Sequence, residues 1–294
     1  MELSDKVAVV AGGTRGAGRG IAVALGERGA TVYVTGRTSR TTGRSPMDRP
    51  ETIEETAELV SAAGGKGIAV RIDHSNSAEV AELAARVQTE QDGRLDILVN
   101  DIWGGDSMVD WSKRFWEQDL EVGLSVLRQA IETHIITSFH LAPLMVSRGS
   151  GLIVEITDGV EPGYRGAFFY DLAKAGVIRL AVAQAGELGP KGITAVAVTP
   201  GFLRSEAMLD HFGVTEATWR DGIATDKDFA ESETPAYVGR AIACLASDSD
   251  YARFSGQALS SWGLSDVYSF ADVDGRRPHW GRHFAEAYPN GVTG

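Results

Sequence analysis

Short runs of branched apolar residues alternate along the chain with longer segments in which apolar residues recur at helical spacing. The runs are continuously apolar, which is typical of strands buried on both faces of a parallel sheet. The predicted strands are Val7–Val10, Thr31–Thr35, Gly67–Ile72, Leu95–Val99, Gly151–Ile156, Ile193–Val198 and Gln257–Ser261. The predicted helices are a segment ending near Arg28, then Glu51–Ala63, Ala78–Gln91, Gln118–Ser147, Phe169–Leu188 and Pro235–Ala246. With right-handed crossovers, this order predicts one doubly wound α/β domain, a parallel sheet of about seven strands with helices on both faces.

Three segments depart from this alternation. The loop Thr38–Pro50 is longer than most strand-to-helix connections, which indicates a functional or mobile segment. Phe202–Thr234 is a second excursion, rich in aromatic and acidic residues. The tail Gly263–Gly294 contains too many aromatic residues for a solvated tail, so we expect it to pack on the 1–262 domain or on a neighbouring subunit.

The composition narrows the class of protein. The chain has 294 residues, 43% of them hydrophobic and 23% charged, which excludes a disordered or fibrous protein. Its net charge of −12 disfavours binding to nucleic acid or to anionic lipid. With Cys244 as the one cysteine, neither a disulfide framework nor a cysteine-built zinc site is expected, and no metal site is predicted. No apolar stretch has the length of a membrane span and Met1–Lys6 does not resemble a signal peptide, so we expect a cytoplasmic protein with neither membrane nor nucleic-acid partners.

A glycine-rich turn, Ala11-Gly-Gly-Thr-Arg-Gly-Ala-Gly18, follows the first predicted strand and opens the first helix. Glycines let the backbone turn sharply and approach a pyrophosphate, whose charge is stabilised at the N-terminus of the helix. The spacing differs from the commonest dinucleotide fingerprint and lacks the Lys-Ser/Thr pair of a P-loop. In its strand-turn-helix context, the motif predicts a dinucleotide site formed by Gly12, Thr14, Arg15, Gly16 and Gly18.

The end of the second predicted strand indicates which dinucleotide binds. NAD-selective sites place an acidic residue there, where it binds the adenosine ribose 2′-hydroxyl. This chain has Gly36 and Arg37 instead, with Arg15 in the glycine turn. Further arginines follow in the loop, namely Arg40, Arg44 and Arg49. Such a local cluster of cations in an acidic protein favours a 2′-phosphate and thus NADP(H) over NAD(H), the alternative being a solvated basic loop.

Tyr170 and Lys174 lie four residues apart in a predicted helix, so their side chains share one face. A phenol with its ordinary pKa of about 10 is a poor proton shuttle at neutral pH, and a nearby cation lowers that pKa towards the working range. The spacing alone is common and mostly structural. After the fifth strand of a dinucleotide-binding chain, it predicts an acid–base couple.

Together, these motifs resemble the short-chain dehydrogenase/reductase family from Lys6 to Trp262. The resemblance also rests on Asp73 after the third strand, Leu98-Val-Asn100 ending the fourth and Thr199-Pro-Gly201 after the sixth. It implies a Rossmann-like domain of seven parallel strands that transfers hydride to or from NAD(P) and forms a homodimer or homotetramer.

The resemblance implies roles for individual residues. Tyr170 is expected to be the acid–base group, and Lys174 also to hold the nicotinamide ribose. The other expected cofactor contacts are Asp73 and His74 near the adenine, Asn100 in the cleft, Pro200 and Gly201, and Phe202 and Ser205 near the nicotinamide. Residues 202–234 correspond to a substrate lid. The expected substrate contacts are Trp103 and the lid residues Met208, His211, Phe212 and Trp219. Trp103, Trp111, Phe115 and Trp116 either wall an apolar pocket or pack in the core or an interface.

Three positions depart from the family pattern. Asn100-Asp-Ile-Trp103 stands where the family usually has Asn-Asn-Ala-Gly. His134 stands where an asparagine usually supports a proton-relay water, so we expect His134 in a catalytic role. Asp158 occupies the position of the catalytic serine, while Thr157 is expected to point to the opposite face of the strand.

An aspartate in the serine position allows several chemistries. An ionised Asp158 only accepts hydrogen bonds, and its charge raises the pKa of Tyr170, so that Tyr170 stays mostly neutral. This state favours reduction, the direction in which the tyrosine must donate a proton. A protonated Asp158 in a partly buried pocket donates as the serine would. The sequence therefore predicts an NADPH-dependent reductase of a ketone or aldehyde. The alternatives are a reductase of a cationic C=N substrate and a catalytically weak dinucleotide-binding protein, serving as a sensor or assembly subunit.

Overall fold

The computed structural model describes residues 2–41, 43, 48–160 and 163–289, and within them seven strands form one sheet. The strands are β1 (Val7–Ala11), β2 (Thr31–Gly36), β3 (Lys66–Arg71), β4 (Ile97–Asn100), β5 (Gly151–Ile156), β6 (Ile193–Thr199) and β7 (Ala258–Ser260). The α-helices are α1 (Gly16–Glu27), α2 (Ile53–Ala62), α3 (Ser77–Glu90), α4 (Leu120–Leu127), α5 (Thr133–Arg148), α6 (Phe168–Leu188), α7 (Glu206–Phe212), α8 (Pro235–Ser247), α9 (Ser261–Tyr268) and α10 (Trp280–Ala287). No helix in these ranges is long and apolar enough to cross a membrane.

All neighbouring strands are parallel, in the order β3-β2-β1-β4-β5-β6-β7. The predicted doubly wound sheet is thus confirmed, and no predicted strand end lies more than two residues from the observed one. The chain builds outwards from β1 to one edge, then returns to the centre at β4 and builds to the other edge. The carboxyl ends of β1 and β4 therefore open a crevice, where ligands bind in sheets of this kind.

One apolar layer on each face holds the helices on the sheet. Because successive strand residues face opposite sides, Val10 packs in the layer of Ile21 from α1, whereas Val9 packs in the layer of Leu83 from α3 and Leu141 from α5. All five side chains are fully or almost fully buried, and burying each aliphatic side chain stabilises the fold by about 1.5–3 kcal/mol. These layers fix the strand ends at which the crevice lies.

The long helix predicted over Gln118–Ser147 is interrupted by a π-helical turn. Asp119 caps α4 by accepting the N–H groups of the first turn, and the π turn Arg128–Glu132 connects α4 to α5. A π turn holds one extra residue, which rotates the following side chains by about 100°. The face of α5 that meets the sheet is therefore not the one that an uninterrupted α-helix would present.

The lid, 202–234, packs against the described part of the tail, 263–289, and Arg204 is the centre of this contact. Its buried guanidinium lies 3.9 Å from the Asp272 carboxylate and stacks on Trp219 at 4.1 Å from the ring centroid. The tail begins inside a helix, because α9 starts at Ser261 and contains the predicted boundary after residue 262. The described tail thus belongs to the same packed unit as the lid.

Candidate active site

A cavity of about 1100 Å³ runs along the carboxyl ends of the strands. Its glycine end is lined by the turn after β1 and by residues after β2 and β3, such as Gly12, Arg37 and His74. Its tyrosine end is lined by Asp158, Tyr170, the lid and α10. The volume lies at the upper limit of ordinary ligand pockets, about 300–1,000 Å³, so the cavity admits an extended ligand. The described residues include no cluster of three or more side chains that could hold a metal ion.

The turn at the glycine end is closed by backbone contacts that leave no room for side chains. Gly12 has a φ of +87°, and a Cβ on it would lie 2.2 Å from the carbonyl oxygen of Asp101. A Cβ on Gly18 would lie 2.4 Å from the carbonyl oxygen of Gly12. Thr14, Arg15 and Gly16 line the cavity, whereas Gly18 packs beneath the turn, and its expected cofactor contact stays a prediction.

The predicted arginines differ in their partners. Arg37 lines the cavity and forms no ion pair with any described residue. Arg15 also lines the cavity, and its Nε donates to Glu51 at 3.1 Å. Glu51 also accepts from Arg49, at 2.7 Å. Arg40 is exposed and pairs outside the cavity with a glutamate of α2, and Arg44 lies outside the described residues.

His74 and Asp73 follow β3 and line the glycine end. His74 is buried, with its Nε2 2.7 Å from Thr35 Oγ1 and its Nδ1 2.8 Å from Thr137 Oγ1. Burial lowers the pKa of His74 from 6.5 to about 3, so its ring is neutral at physiological pH. Burial opposes the ionisation of Asp73, but hydrogen bonds from Ser75 hold the pKa of that carboxyl below its usual value.

Tyr170 and Lys174 lie in the first turns of α6, at the tyrosine end of the cavity. The Tyr170 hydroxyl donates to Asp158 Oδ2 at 2.9 Å. Lys174 Nζ lies 5.5 Å from the centroid of the Tyr170 ring and 4.0 Å from that of Trp103, a cation–π distance. Trp103 and Trp111 also pack on the Tyr170 ring, at centroid distances of 5.6 and 5.0 Å. The phenol and the ammonium thus share an aromatic environment with a carboxylate.

The end of β5 determines which side chain faces Tyr170. The structure places Asp158 there, and the backbone carbonyl of Asp158 accepts from Arg165 Nε at 2.6 Å. Thr157 Oγ1 instead donates to the carbonyl oxygen of Lys174 at 2.7 Å. The threonine hydroxyl is therefore engaged by the backbone of α6, while the carboxylate faces the tyrosine.

Asn100 and His134 turn into the protein interior, not into the cavity. Asn100 Nδ2 donates to Ser138 and to Glu155, both at 2.9 Å. His134 Nδ1 lies 2.7 Å from Glu155 Oε2, and its Nε2 lies 3.1 Å from the carbonyl oxygen of Ile102. Neither residue is among those that line the cavity, so a cofactor contact for Asn100 and a catalytic role for His134 stay predictions. Both side chains are drawn to a buried carboxylate on β5, which sequence reasoning did not identify.

The loop after β6 lines the middle of the cavity with Pro200, Gly201, Phe202 and Ser205. Its position is fixed from behind, because Gly201 N–H donates to Glu233 Oε2 at 2.9 Å. Glu233 is buried, and burial raises its pKa to about 8. Its carboxyl group is therefore mostly protonated at neutral pH.

Three of the four predicted lid contacts, Met208, His211 and Phe212, line the cavity. Trp219 is not among the residues that line the cavity, so its substrate contact stays a prediction. Its ring is buried in the lid between the guanidinium groups of Arg204, at 4.1 Å, and Arg276, at 4.6 Å. These cation–π contacts join residues far apart in the chain, so the position of Trp219 in the lid did not reveal them.

Trp280 of the tail completes the cavity wall and was not predicted to do so. Its ring packs edge-on against Phe202, with centroids 5.7 Å apart. Asp228 of the lid holds α10 in place, because it contacts His283 Nε2 at 2.9 Å and accepts from the Tyr288 hydroxyl. The aromatic composition of the tail was the one available signal for this contact.

Comparisons with known proteins identify relatives along most of the chain. A family model described as enoyl-(acyl carrier protein) reductase matches residues 11–260. Dehydrogenase/reductase SDR family member 1 of Mus musculus is 34% identical over 281 residues, covering 93% of this chain and 85% of the relative. A 3-oxoacyl-(acyl-carrier-protein) reductase of Staphylococcus epidermidis is 31% identical over 205 residues, covering 69% of this chain and 77% of the relative.

Solved structures share the fold. A short-chain dehydrogenase from Mycobacterium thermoresistibile superposes with a TM-score of 0.77 at 22% identity, covering 96% of this chain and 93% of its own. A putative short-chain alcohol dehydrogenase from Sinorhizobium meliloti 1021 gives a TM-score of 0.71 at 22% identity, with coverages of 90% and 98%. The family match and the relatives above 30% identity show that this chain is an oxidoreductase of the short-chain dehydrogenase/reductase family, whose members use nicotinamide dinucleotides.

Proposed function

We propose that this protein is an NADP(H)-dependent reductase of a ketone or aldehyde, with Tyr170 as the proton donor. The arrangement at the tyrosine end carries the proposal. A phenol lines the cavity with Asp158 at 2.9 Å and Lys174 one helical turn away, and the same cavity reaches the glycine turn. A protein that only binds nucleotides does not require such a phenol.

The glycine end fits a dinucleotide, because the turn at Gly12 forms a cradle that a Cβ would fill. We assign the phosphates to this turn and to Arg15, and the nicotinamide half to Lys174 and the loop Pro200–Ser205. When bound, a reduced nicotinamide supplies the hydride that adds to the carbonyl carbon.

The side chains at the tyrosine end would then donate the proton that the substrate oxygen requires. Asp158 accepts a hydrogen bond from the Tyr170 hydroxyl and so holds the phenol in one orientation on the cavity wall. For reduction, the hydroxyl hydrogen turns away from Asp158 towards a carbonyl oxygen placed beside it, which takes the proton as that oxygen becomes an alkoxide. The Lys174 ammonium stabilises the phenolate left behind, and the rings of Trp103 and Trp111 pack against the Tyr170 ring.

The preference for NADP(H) is supported by Arg37. Its guanidinium lines the cavity just after β2 and has no ion pair among the described residues, so it is available to a 2′-phosphate. Arg15 adds a second positive charge at the same end, although it shares that charge with Glu51.

Cofactor binding and turnover test the proposal directly. Fluorescence titration is expected to show tighter binding of NADPH than of NADH, and a carbonyl panel is expected to oxidise NADPH with at least one ketone or aldehyde. Tight NADPH binding with no oxidation by carbonyls or imines would favour a nucleotide-binding sensor or assembly subunit. Tighter binding of NADH would contradict the assignment of Arg37.

The hydrogen bond from Tyr170 to Asp158 also supports a second candidate, reduction of a cationic C=N substrate. A carboxylate accepts the N–H of an iminium ion, and the faces of Trp103 and Trp111 attract cations. Hydride adds to the carbon, the C=N π electrons become the nitrogen lone pair, and no proton from Tyr170 is required. Matched pairs of cyclic iminium ions and ketones distinguish the candidates, because exclusive turnover of the iminium ions would favour this one.

The quaternary structure is part of the same proposal. α5 and α6 expose apolar side chains, among them Phe139 at 74%, together with Ile135, Leu172 and Val182. Exposed apolar surface of this kind is typical of a subunit interface. We propose a homodimer or homotetramer that acts on a small molecule in the cytoplasm. Light scattering during gel filtration measures the mass, and a monomer of 31.3 kDa would contradict the assembly.

A further inference from the structure

A buried carboxylate, Glu155, lies behind the site at the centre of the sheet. It stands on β5 beside Asn100 of β4 and is fully buried. Its Oε1 accepts from Asn100 at 2.9 Å and from Gln184 at 2.8 Å, and its Oε2 lies 2.7 Å from His134 Nδ1. Burying a carboxylate without hydrogen-bond partners costs a large amount of folding free energy, and these contacts offset that cost for Glu155.

The acceptors around His134 fix where its protons lie. Its Nε2 is 3.1 Å from the carbonyl oxygen of Ile102, which can only accept, so Nε2 carries a hydrogen. Its Nδ1 faces Glu155 Oε2 at 2.7 Å, and one proton must lie between those two atoms. The pair is therefore neutral overall, and it forms a continuous hydrogen-bonded link from β5 to the Ile102 carbonyl.

Ile102 connects this link to the reacting groups. Ile102 and Trp103 belong to the loop after β4, and both line the cavity. The Trp103 ring lies 4.0 Å from Lys174 Nζ and packs edge-on against Tyr170. A fixed Ile102 carbonyl therefore fixes the indole that contacts both the ammonium and the phenol.

The π turn Arg128–Glu132 directs His134 towards this carboxylate. It immediately precedes α5, and π turns commonly occur near functional sites. Gln129 within the turn lines the cavity, whereas His134, two residues after the turn, is buried against the sheet. One helical segment thus serves the cavity wall and the network behind it.

We propose that His134 is a positioning residue: its contact with the Ile102 carbonyl holds the Trp103 indole against Lys174 and Tyr170. The kinetic consequences rest on the proposed reductase function, whereas the structural consequences can be measured without turnover. This role differs from the catalytic one expected for His134, whose side chain is not among those that line the cavity.

Two isosteric variants separate the two contacts of His134. In His134→Asn, the side-chain amide nitrogen takes the place of Nδ1, so the contact with Glu155 is kept and the contact with Ile102 is lost. In His134→Gln, the amide nitrogen takes the place of Nε2, so the hydrogen bond to the Ile102 carbonyl is kept and the contact with Glu155 is lost. A displacement of about 1 Å can cost about 100-fold in rate. We therefore expect kcat to fall at least tenfold in His134→Asn and to stay within about threefold in His134→Gln, with the Kd for NADPH unchanged in both.

Gln184→Met is the matched control, because it removes a hydrogen bond to the same carboxylate from the side of α6, away from Ile102. We expect its kcat to stay within about twofold of wild type. Equal losses of kcat in all three variants would show that the network only supports folding and would overturn the proposal.

Glu155→Gln distinguishes positioning from proton relay. A glutamine keeps every contact, since its Oε1 accepts and its Nε2 donates to His134 Nδ1, so we expect kcat within about threefold of wild type. A large loss of kcat in the folded variant would show that the pair relays a proton, which contradicts a positioning role.

Hydrogen–deuterium exchange tests whether His134 holds the loop after β4, and it requires no turnover. His134→Asn is expected to raise amide exchange in residues 101–105 at least fivefold, and His134→Gln to leave it within about twofold. Unchanged exchange in His134→Asn would overturn the proposal. If the wild-type protein reduced no substrate, the proposed function would fail, and this exchange experiment would still decide the role of His134.

Discussion

The glycine end and the tyrosine end of the cavity are built by different means. The glycine end is mainly backbone, with the turn at Gly12 packed against the carbonyl of Asp101, and its side chains directly follow parallel strands. The tyrosine end consists of side chains from the loop after β4, the end of β5, α6, the lid and α10. The fold itself therefore dictates the glycine end, whereas the tyrosine end depends on packing between distant segments.

Tyr170→Phe should have the largest effect, because it should lower kcat at the tyrosine end and leave NADPH binding at the glycine end unchanged. Removing the hydroxyl removes the acid, which typically contributes about 10²–10⁴-fold to rate, so kcat should fall by that factor. The Kd for NADPH should change less than about twofold, because the glycine end is untouched. Steady-state kinetics and fluorescence titration measure both, with the exposed Tyr164→Phe as the control. A parallel loss of NADPH binding would show that the two ends are not separable.

Arg37→Asp tests the glycine end, where we expect weaker NADPH binding. A hydrogen bond to a charged group contributes about 1.5–3 kcal/mol, so NADPH affinity should fall about 10–100-fold while NADH affinity changes little. Arg40→Gln is the matched control, because Arg40 is exposed and pairs with Glu58. Unchanged NADPH affinity in Arg37→Asp would exclude this residue as the phosphate anchor.

Asp158→Ser tests the departure at the tyrosine end. Serine both donates and accepts, so carbonyl reduction should be retained or raised severalfold, and turnover of iminium ions should fall. The measurement is kcat/KM on matched ketone and iminium substrates. Near-complete loss of carbonyl reduction in a folded variant would show that the carboxylate has a required role of its own.

Glu233→Gln tests a buried carboxyl group that lies between the two ends, behind the loop after β6. The pKa of Glu233 in the folded protein, about 8, exceeds its ordinary value of 4.5. The folded protein therefore retains a proton that the unfolded chain releases, and the stability from this proton is present below pH 4.5 and lost as the pH rises through 8. His74 acts with the opposite sign, but only below pH 6.5.

Thermal unfolding between pH 6.5 and 8.5 isolates the contribution of Glu233. The wild-type free energy of unfolding should fall with pH at up to about 1.4 kcal/mol per pH unit from this group, and Glu233→Gln should flatten the profile. Identical profiles for the two proteins would show that Glu233 has no raised pKa.

The sequence was sufficient for the strands, the helices and the residues that directly follow the strands. Continuous apolar runs predict buried strands, and parallel strands bring their carboxyl ends to one edge, so Arg37 and Tyr170 could be placed in one cavity. Family position did not anticipate the contacts of Asn100, His134 and Trp219, because partners elsewhere in the chain direct their side chains.

The features missed from the sequence share a physical cause. The π turn depends on where α5 meets the sheet, and the role of Glu155 depends on three partners from separate elements. Trp280 reaches the cavity from α10, which Asp228 of the lid holds in place. None of these contacts leaves a periodic signal in the local sequence.

The wall that α10 supplies has an evolutionary consequence. Trp280 lies beyond residues 11–260, the span shared with the family model, whereas the turn, Tyr170 and Lys174 lie within it. Mutation of the last few turns of the chain can therefore reshape the cavity wall and leave the glycine turn, Tyr170 and Lys174 unchanged. Exchanging the C-terminal segments of homologous enzymes is accordingly a rational route to new substrate ranges on an unchanged scaffold.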